Sequence, residues 1–222
     1  VAAVSLMLKA IRKGEKLKPI LGHNIRVGNS LVNGKEEKFE ELKEGIKTDL
    51  RVFDWAVQFP NTKFDIVIGN PPYFKVREKN PIRISSDFEK VKSGPVNVAM
   101  MFINKSIDML NDTGRLGLVI PKMCSYTKGW TATRKQIFEN LKLNNIIDCE
   151  EAFENVLLEQ ILLIGEKSSE NKESNSYEVG FAEPDVVNTT AKLARKLAID
   201  NNLIFLESNN LAYQIREKML DN

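Results

Sequence analysis

The ten residues FDIVIGNPPY, at positions 64–73, carry the most informative pattern in the sequence. The apolar run at the start of this stretch predicts a short strand that is buried on both faces. Gly69 then frees the backbone, and Pro71 and Pro72 can neither donate to a strand ladder nor continue the strand. In open α/β folds, ligands bind at the carboxyl edge of the sheet. The pattern therefore predicts a rigid site at the end of this strand, with a plain strand-to-loop turn as the alternative.

Composition narrows the class of protein. The 222 residues are enough to bury a sizeable core, and no apolar run is long enough to span a bilayer, so we expect no membrane association and a cytoplasmic location. A net charge of +2 permits a nucleic-acid partner without requiring one. His23 is the only histidine, which argues against most zinc sites and histidine-based triads, and we expect no metal. Cys124 and Cys149 lack metal-ligand spacing and are expected to be reduced.

Helical and strand patterns alternate along the chain, which predicts an α/β layer fold with a mostly parallel sheet. A basic, polar loop is expected from about residue 74 to residue 96, and the segment EKSSENKESNS at 166–176 reads as a linker or exposed loop. The patterns predict helices at 1–12, 34–50, 97–110 and 131–143, and strands at 24–27, 64–68, 115–121, 145–149 and 160–164.

The tetrapeptide Asn70 to Tyr73 suits the activation of an exocyclic amine, whose lone pair is delocalised into its ring. The Asn70 side-chain carbonyl and the Pro71 main-chain carbonyl can accept hydrogen bonds from both N–H groups, which localises the lone pair on nitrogen. Pro71 and Pro72 hold these acceptors in place, and Tyr73 offers a flat face on which a base can stack. The chemistry needs positioning and electrostatics rather than a general base.

FDIVIGNPPY resembles motif IV of the amino-group DNA methyltransferases, whose form is Asn/Asp/Ser-Pro-Pro-aromatic. By this resemblance, Asn70, Pro71, Pro72 and Tyr73 are the catalytic residues. AFENVLLEQILLIGEK, at 152–167, is similar to the late hairpin of the family, in which an aromatic residue stacks on the flipped base. Phe153 matches that position, so the resemblance implies that Tyr73 and Phe153 bind the substrate base.

Other segments resemble the cofactor side of the same family. NIRVGNSL, at 24–31, is similar to the strand and GDSL segment that precedes motif IV, and Asn29 stands where the family has an acidic residue that contacts the cofactor adenine. Phe102 matches an aromatic position that borders the same adenine. The resemblance thus implies that Asn29, Ser30, Asn70 and Phe102 bind S-adenosyl-L-methionine.

The order of these segments resembles the γ-class N6-adenine methyltransferases, and among them those fused into restriction-modification enzymes. This implies a Rossmann-like methyltransferase fold with a late antiparallel hairpin, double-stranded DNA as partner, and a fused or separate restriction nuclease and specificity region. We expect a partial catalytic core at 1–166, a linker or loop at 167–176, and the start of a target-recognition or C-terminal region at 177–222. The family's Gly-rich cofactor turn is absent from the sequence. We therefore expect a fragment without the first strands, inactive alone, that binds the cofactor no more tightly than about millimolar.

Two other functions remain open at this point. The same tetrapeptide occurs in methyltransferases that act on a release-factor glutamine or on adenine in RNA. A non-catalytic DNA-binding or specificity piece is the third possibility. A methyl-transfer assay with competing acceptors separates the three.

Overall fold

The computed structural model describes residues 25–60, 63–92, 94–150, 158–168, 176–183 and 186–206. The predicted helix at 1–12 and the base-stacking residue Phe153 lie outside the described residues. The chain divides into two compact units, residues 1–61 and residues 62–222, and each is described by itself.

The described part of the first unit contains two short helices, α1 (Glu44–Leu50) and α2 (Trp55–Gln58). The Asp54 side chain caps α2 by accepting hydrogen bonds from two main-chain N–H groups. The helix predicted over 34–50 was too long, because residues 33–42 close successive three-residue turns instead of helical bonds. Of the strand predicted over 24–27, the described residues form only an isolated bridge at Ile25 and no continuous strand. In place of that strand, Asn29 makes one bridge to Val52.

The second unit is built on a six-stranded sheet of order β1-β2-β4-β3-β5-β6. β1, β2, β3 and β5 run in one direction, whereas β4 and β6 are antiparallel to their neighbours. The antiparallel pairing of β3 with β4 is the late hairpin that the resemblance implies. The strands are β1 (Phe64–Gly69), β2 (Leu110–Pro121), β3 (Leu141–Glu150), β4 (Gln160–Lys167), β5 (Ser176–Glu183) and β6 (Val186–Ala194).

Among its described residues, this unit has four α-helices: α3 (Ser86–Val91), α4 (Val98–Met109), α5 (Thr131–Asn140) and α6 (Arg195–Asn201). The Asn97 side chain caps α4 by accepting a hydrogen bond from the Ala99 N–H, and residues at helical spacing along α4 are buried. On β2, Leu116, Leu118 and Ile120 alternate with more exposed positions and enter the core.

One expectation about β1 is wrong. The strand forms where the sequence predicts it, but Ile66 and Ile68 are 64% and 79% exposed. The physical reason is position: β1 lies at the edge of the described sheet, pairs only with β2, and turns these two side chains to an uncovered face. An apolar run therefore marks a strand without showing that both its faces are covered.

The sheet continues through the C-terminal segment. β5 pairs with β3, and buried Arg195 donates from one guanidinium nitrogen to the carbonyls of Phe138 and Leu141, each at 2.6 Å. The Tyr177 hydroxyl accepts from the Phe205 N–H at 3.0 Å. The division between a catalytic core and a target-recognition region stays a prediction, and the described strands β5 and β6 belong to the same sheet as β1 to β4.

Candidate functional site

The candidate site lies where β1 ends. β1 and β2 are parallel, and Gly69 pairs with Leu118, so the chain leaves the sheet at Asn70 beside the last residues of β2. Asn70 is exposed, whereas Pro71 directly after it is buried. With φ fixed by its ring, Pro71 turns the chain out of the ladder and presents the Asn70 side chain at the carboxyl edge.

Tyr73 is the residue that connects the ends of these two strands. Its hydroxyl oxygen lies 2.8 Å from Asn70 Oδ1 and 2.8 Å from the main-chain oxygen of Val119 on β2. A phenol has one proton, so it donates to one of these acceptors at a time. These contacts fix the half-buried ring of Tyr73. They also place its hydroxyl against Asn70 Oδ1, the oxygen that the sequence analysis assigns as acceptor for a substrate amine.

Burial raises the pKa of Tyr73 to about 12, and the nearby Cys149 adds to the shift. The pKa of the Cys149 thiol is itself raised by burial. Both groups are therefore neutral near pH 7, and the Tyr73 hydroxyl remains a hydrogen-bond donor. Cys149 lies near the carboxyl end of β3, so the edge of the sheet around Asn70 extends from β1 to β3.

The segment after Tyr73 is held against the start of α4. The Val98 N–H donates to the Phe74 carbonyl at 2.9 Å, and the Val76 N–H donates to the Val96 carbonyl at 2.8 Å. The Val76 side chain is buried, and the side chains of the residues directly before and after it are exposed. Three exposed residues are here called the basic loop: Lys75, Arg77 and Lys79. None of them forms an ion pair within the described ranges.

The long loop predicted after residue 74 contains structure that the sequence reading missed. A 3-10 helix spans Pro81–Ile84, capped by Asn80, and α3 follows it. Buried Asp87 of α3 accepts from Asn104 Nδ2 at 2.9 Å and pairs with Lys105 at 2.8 Å, which docks α3 on α4. The Asn-Pro and Ser-Ser-Asp capping signals were present in the sequence.

A charged cluster at the ends of β2 and β3 was also missed. Lys122 Nζ lies 2.7 Å from an oxygen of Asp148 and 3.4 Å from an oxygen of Glu159. Burial alone lowers the pKa of Lys122, but the hydrogen bond and charge of Asp148, with the weaker effects of Glu159, raise the pKa overall. Lys122 therefore keeps its charge, with two carboxylates beside it.

The other predicted site residues lie outside the Asn70–Tyr73 turn in the sequence. Asn29 and Ser30 belong to the first unit, where Asn29 Oδ1 accepts from the Leu31 N–H at 3.1 Å and the Ser30 carbonyl accepts from Trp55 Nε1 at 2.9 Å. Phe102 is half-buried within α4. The structure thus brings Asn70 and Tyr73 into contact, and the catalytic and binding roles of all the predicted site residues stay predictions.

Known proteins resemble the chain in sequence and fold. Residues 1–154 match the family described as Eco57I restriction-modification methylase. The chain is 30% identical over 145 residues to the type II restriction enzyme and methyltransferase RM.Eco57I of Escherichia coli, covering 63% of this chain and 14% of that protein. It is 33% identical over 95 residues to the type II methyltransferase M.CvrRI of Paramecium bursaria Chlorella virus XZ-6E, covering 42% of this chain and 24% of the relative. The structure of the type IIG restriction endonuclease BpuSI shares the fold, with a TM-score of 0.52 and 16% identity over 71% of this chain and 22% of that one.

The sheet order, with an antiparallel strand between β2 and β3, and the turn at the end of β1 fit a partial Rossmann-like methyltransferase fold. The chain belongs to the Eco57I restriction-modification methylase family, whose match spans 154 of its 222 residues. This confirms the predicted family and fold class. The chain spans less than a quarter of the length of either curated relative described above.

Proposed function

We propose that the protein is a site-specific DNA adenine-N6 methyltransferase of a restriction-modification system, which transfers a methyl group from S-adenosyl-L-methionine to a flipped adenine. The observation that carries this proposal is the Asn70–Tyr73 contact at the carboxyl end of β1. It holds a side-chain carbonyl, a fixed main-chain carbonyl and an aromatic ring within four residues.

Each of these groups has a role toward the target base. Asn70 Oδ1 and the Pro71 carbonyl accept the two N–H bonds of the amine, which draws its lone pair out of the ring system. The Tyr73 ring stacks on the base outside the duplex. The Tyr73 hydroxyl holds Asn70 Oδ1 in the free protein and yields that acceptor to the amine.

Two of the described side chains have chemistry that suits part of the proposed cofactor. Phe102 offers an aromatic side chain, and Asn29 Nδ2 has no partner within the described part of the chain, while the oxygen of the same amide is engaged. A ring face and an amide donor each suit a purine. With each unit taken by itself, we propose cofactor-binding roles for Phe102 and the Asn70 edge in the second unit, and for Asn29 and Ser30 in the first, as the family resemblance implies. When bound, the cofactor supplies a methyl group on a positively charged sulfur.

The basic loop supports double-stranded DNA as the partner. Its three positive side chains follow Tyr73 within six residues and are exposed, and Val76 anchors their backbone. Lys and Arg at such positions neutralise phosphates and fix the protein on the duplex without reading sequence. We infer that the basic loop contacts phosphates close to the flipped nucleotide.

The names of the relatives bear on the setting of this activity. RM.Eco57I is named as both a restriction enzyme and a methyltransferase, which supports a fused or separate nuclease here. No helix among the described residues is long and apolar enough to cross a membrane. Because the proposed substrate is cellular DNA, we infer a cytoplasmic site of action.

A methyl-transfer assay on the intact protein that carries this chain tests the proposal. Labelled S-adenosyl-L-methionine is supplied with DNA, RNA and a release factor as competing acceptors, and the labelled product is digested to identify N6-methyladenine. Label on RNA or on glutamine, or none on DNA, would refute the proposed function. Asn70→Ala should abolish most transfer, whereas Asn111→Ala is the matched control. Asn111 is also a strand-edge asparagine, and its amide binds Asp65 at 2.7 Å at the opposite end of β1.

A further inference from the structure

Gln160, the first residue of β4, is fully buried, and neither its side-chain oxygen nor its nitrogen has a hydrogen-bond partner among the described residues. A primary amide offers two donors and one acceptor. Buried side-chain polar atoms of this kind are nearly always paired, so an unpaired amide calls for an explanation. The following residues of the strand, Ile161 to Ile164, are all apolar, and an apolar side chain at position 160 would avoid the cost of burying the amide.

The position of Gln160 connects it to the candidate site. Its Cα pairs with Pro121 at the end of β2 on one side and with Glu150 at the end of β3 on the other. Since side chains alternate along a strand, Gln160 shares a sheet face with Leu162. Leu162 in turn pairs with Val119, whose carbonyl binds the Tyr73 hydroxyl.

Tyr73 also interacts with Cys149, which precedes the Glu150 partner of Gln160. The partners of Gln160 on the two neighbouring strands thus lie two residues from Val119, which the Tyr73 hydroxyl contacts, and one residue from Cys149, which affects the Tyr73 pKa. No other residue of the described edge combines full burial with an entirely unpaired amide.

We propose that Gln160 is a base-recognition residue, whose amide N–H donates to a ring nitrogen of the base held by Asn70. This inference rests on the proposed function. Asn70 and Pro71 take up both N–H bonds of the exocyclic amine and leave the ring nitrogens unread. A glutamine amide is suited to the acceptor nitrogens of adenine, and flipped bases are read by hydrogen bonds to their edges. A donor to N1 would also disfavour guanine, which carries N–H at N1, whereas N3 and N7 are acceptors in both purines.

The test measures discrimination rather than activity alone. Duplexes carry adenine, or 1-deaza-, 3-deaza- or 7-deazaadenine, at the target position, and methyl transfer to each is measured with the intact protein and with Gln160→Met. The parent should prefer adenine over one analogue by about tenfold more than the variant does, the loss expected for one base-edge hydrogen bond. Because the ratio is taken on the same preparation, a fraction of unfolded variant cancels.

A second measurement separates recognition from folding. Thermal unfolding of Gln160→Met should give an equal or higher midpoint, because an unpaired amide leaves the core. Thr133→Val is the matched control: it removes another buried, unpartnered side-chain oxygen, in α5, and should leave the discrimination ratio unchanged.

The outcomes distinguish this inference from the function on which it rests. If the parent methylates adenine and the ratio is the same in parent and Gln160→Met, Gln160 does not read the base, and the inference fails alone. An unchanged ratio with weaker S-adenosyl-L-methionine binding would assign the amide to the cofactor and also overturn it. If the parent transfers no methyl group to DNA, the proposed function fails and this inference falls with it.

Discussion

Replacing Tyr73 by Phe separates the two roles that the structure gives to this residue. The substitution keeps the ring and removes only the hydroxyl that lies 2.8 Å from Asn70 Oδ1 and from the Val119 carbonyl. Because the hydroxyl donates one proton, one hydrogen bond is lost, and the free energy of unfolding should fall by about 1 kcal/mol. That corresponds to roughly a fivefold change in the folding equilibrium constant.

Base binding should respond differently. Tyr73→Phe retains the stacking face, so affinity for DNA with an unpaired target adenine should stay within about threefold of the parent, whereas Tyr73→Ala should lose about 1–3 kcal/mol of stacking. Fluorescence of an adenine analogue at the target position measures binding, and urea denaturation measures stability. If Tyr73→Phe weakens base binding as much as Tyr73→Ala does, the hydroxyl and not the ring recognises the base, and the stacking argument is refuted.

Three further predictions concern other parts of the site. In steady-state kinetics, Asn70→Ala should lower turnover about 100-fold while the Kd for S-adenosyl-L-methionine changes less than about threefold; near-parental turnover would reduce the tetrapeptide to a turn. Changing all three residues of the basic loop to Gln should reduce the slope of log K against log salt for DNA binding by about 2–3, whereas Lys196→Gln, an exposed lysine of α6, should reduce it by no more than about 1; an unchanged slope in the triple variant would remove the loop from the DNA interface. Phe153→Ala should weaken binding of an unpaired target adenine by about 1–3 kcal/mol, and the same fluorescence change in parent and variant would exclude Phe153 from the base site.

Prediction of structure from the sequence was most successful where the signal comes from a few neighbouring residues. The Gly69-Asn70-Pro-Pro turn ends β1 because prolines cannot continue a ladder, and Asn97 starts α4 because its side chain caps the first N–H groups. Both signals act within a few residues, so no knowledge of the rest of the fold is needed to read them.

The sequence predicted least where distant segments meet. The Lys122 ion pair joins the ends of β2 and β3 across β4, and the chain order does not show that β4, which follows both strands in sequence, lies between them in the sheet. The unpaired amide of Gln160 is likewise invisible in a sequence, since burial and the absence of partners are tertiary properties. The exposure of Ile66 and Ile68 has the same origin, because edge position is a property of the whole sheet.

The single proton of Tyr73 has a consequence for the speed of base capture. Rotation about its C–O bond switches the hydrogen bond of the Tyr73 hydroxyl from Asn70 Oδ1 to the Val119 carbonyl, and no heavy atom moves, because both acceptors already lie at 2.8 Å. Small side-chain rotations of this kind take picoseconds to nanoseconds, far faster than the motions of loops or domains. Asn70 therefore becomes available to an arriving amine without a gating step, and any slow phase in base capture must arise in the DNA or in a larger movement of the protein.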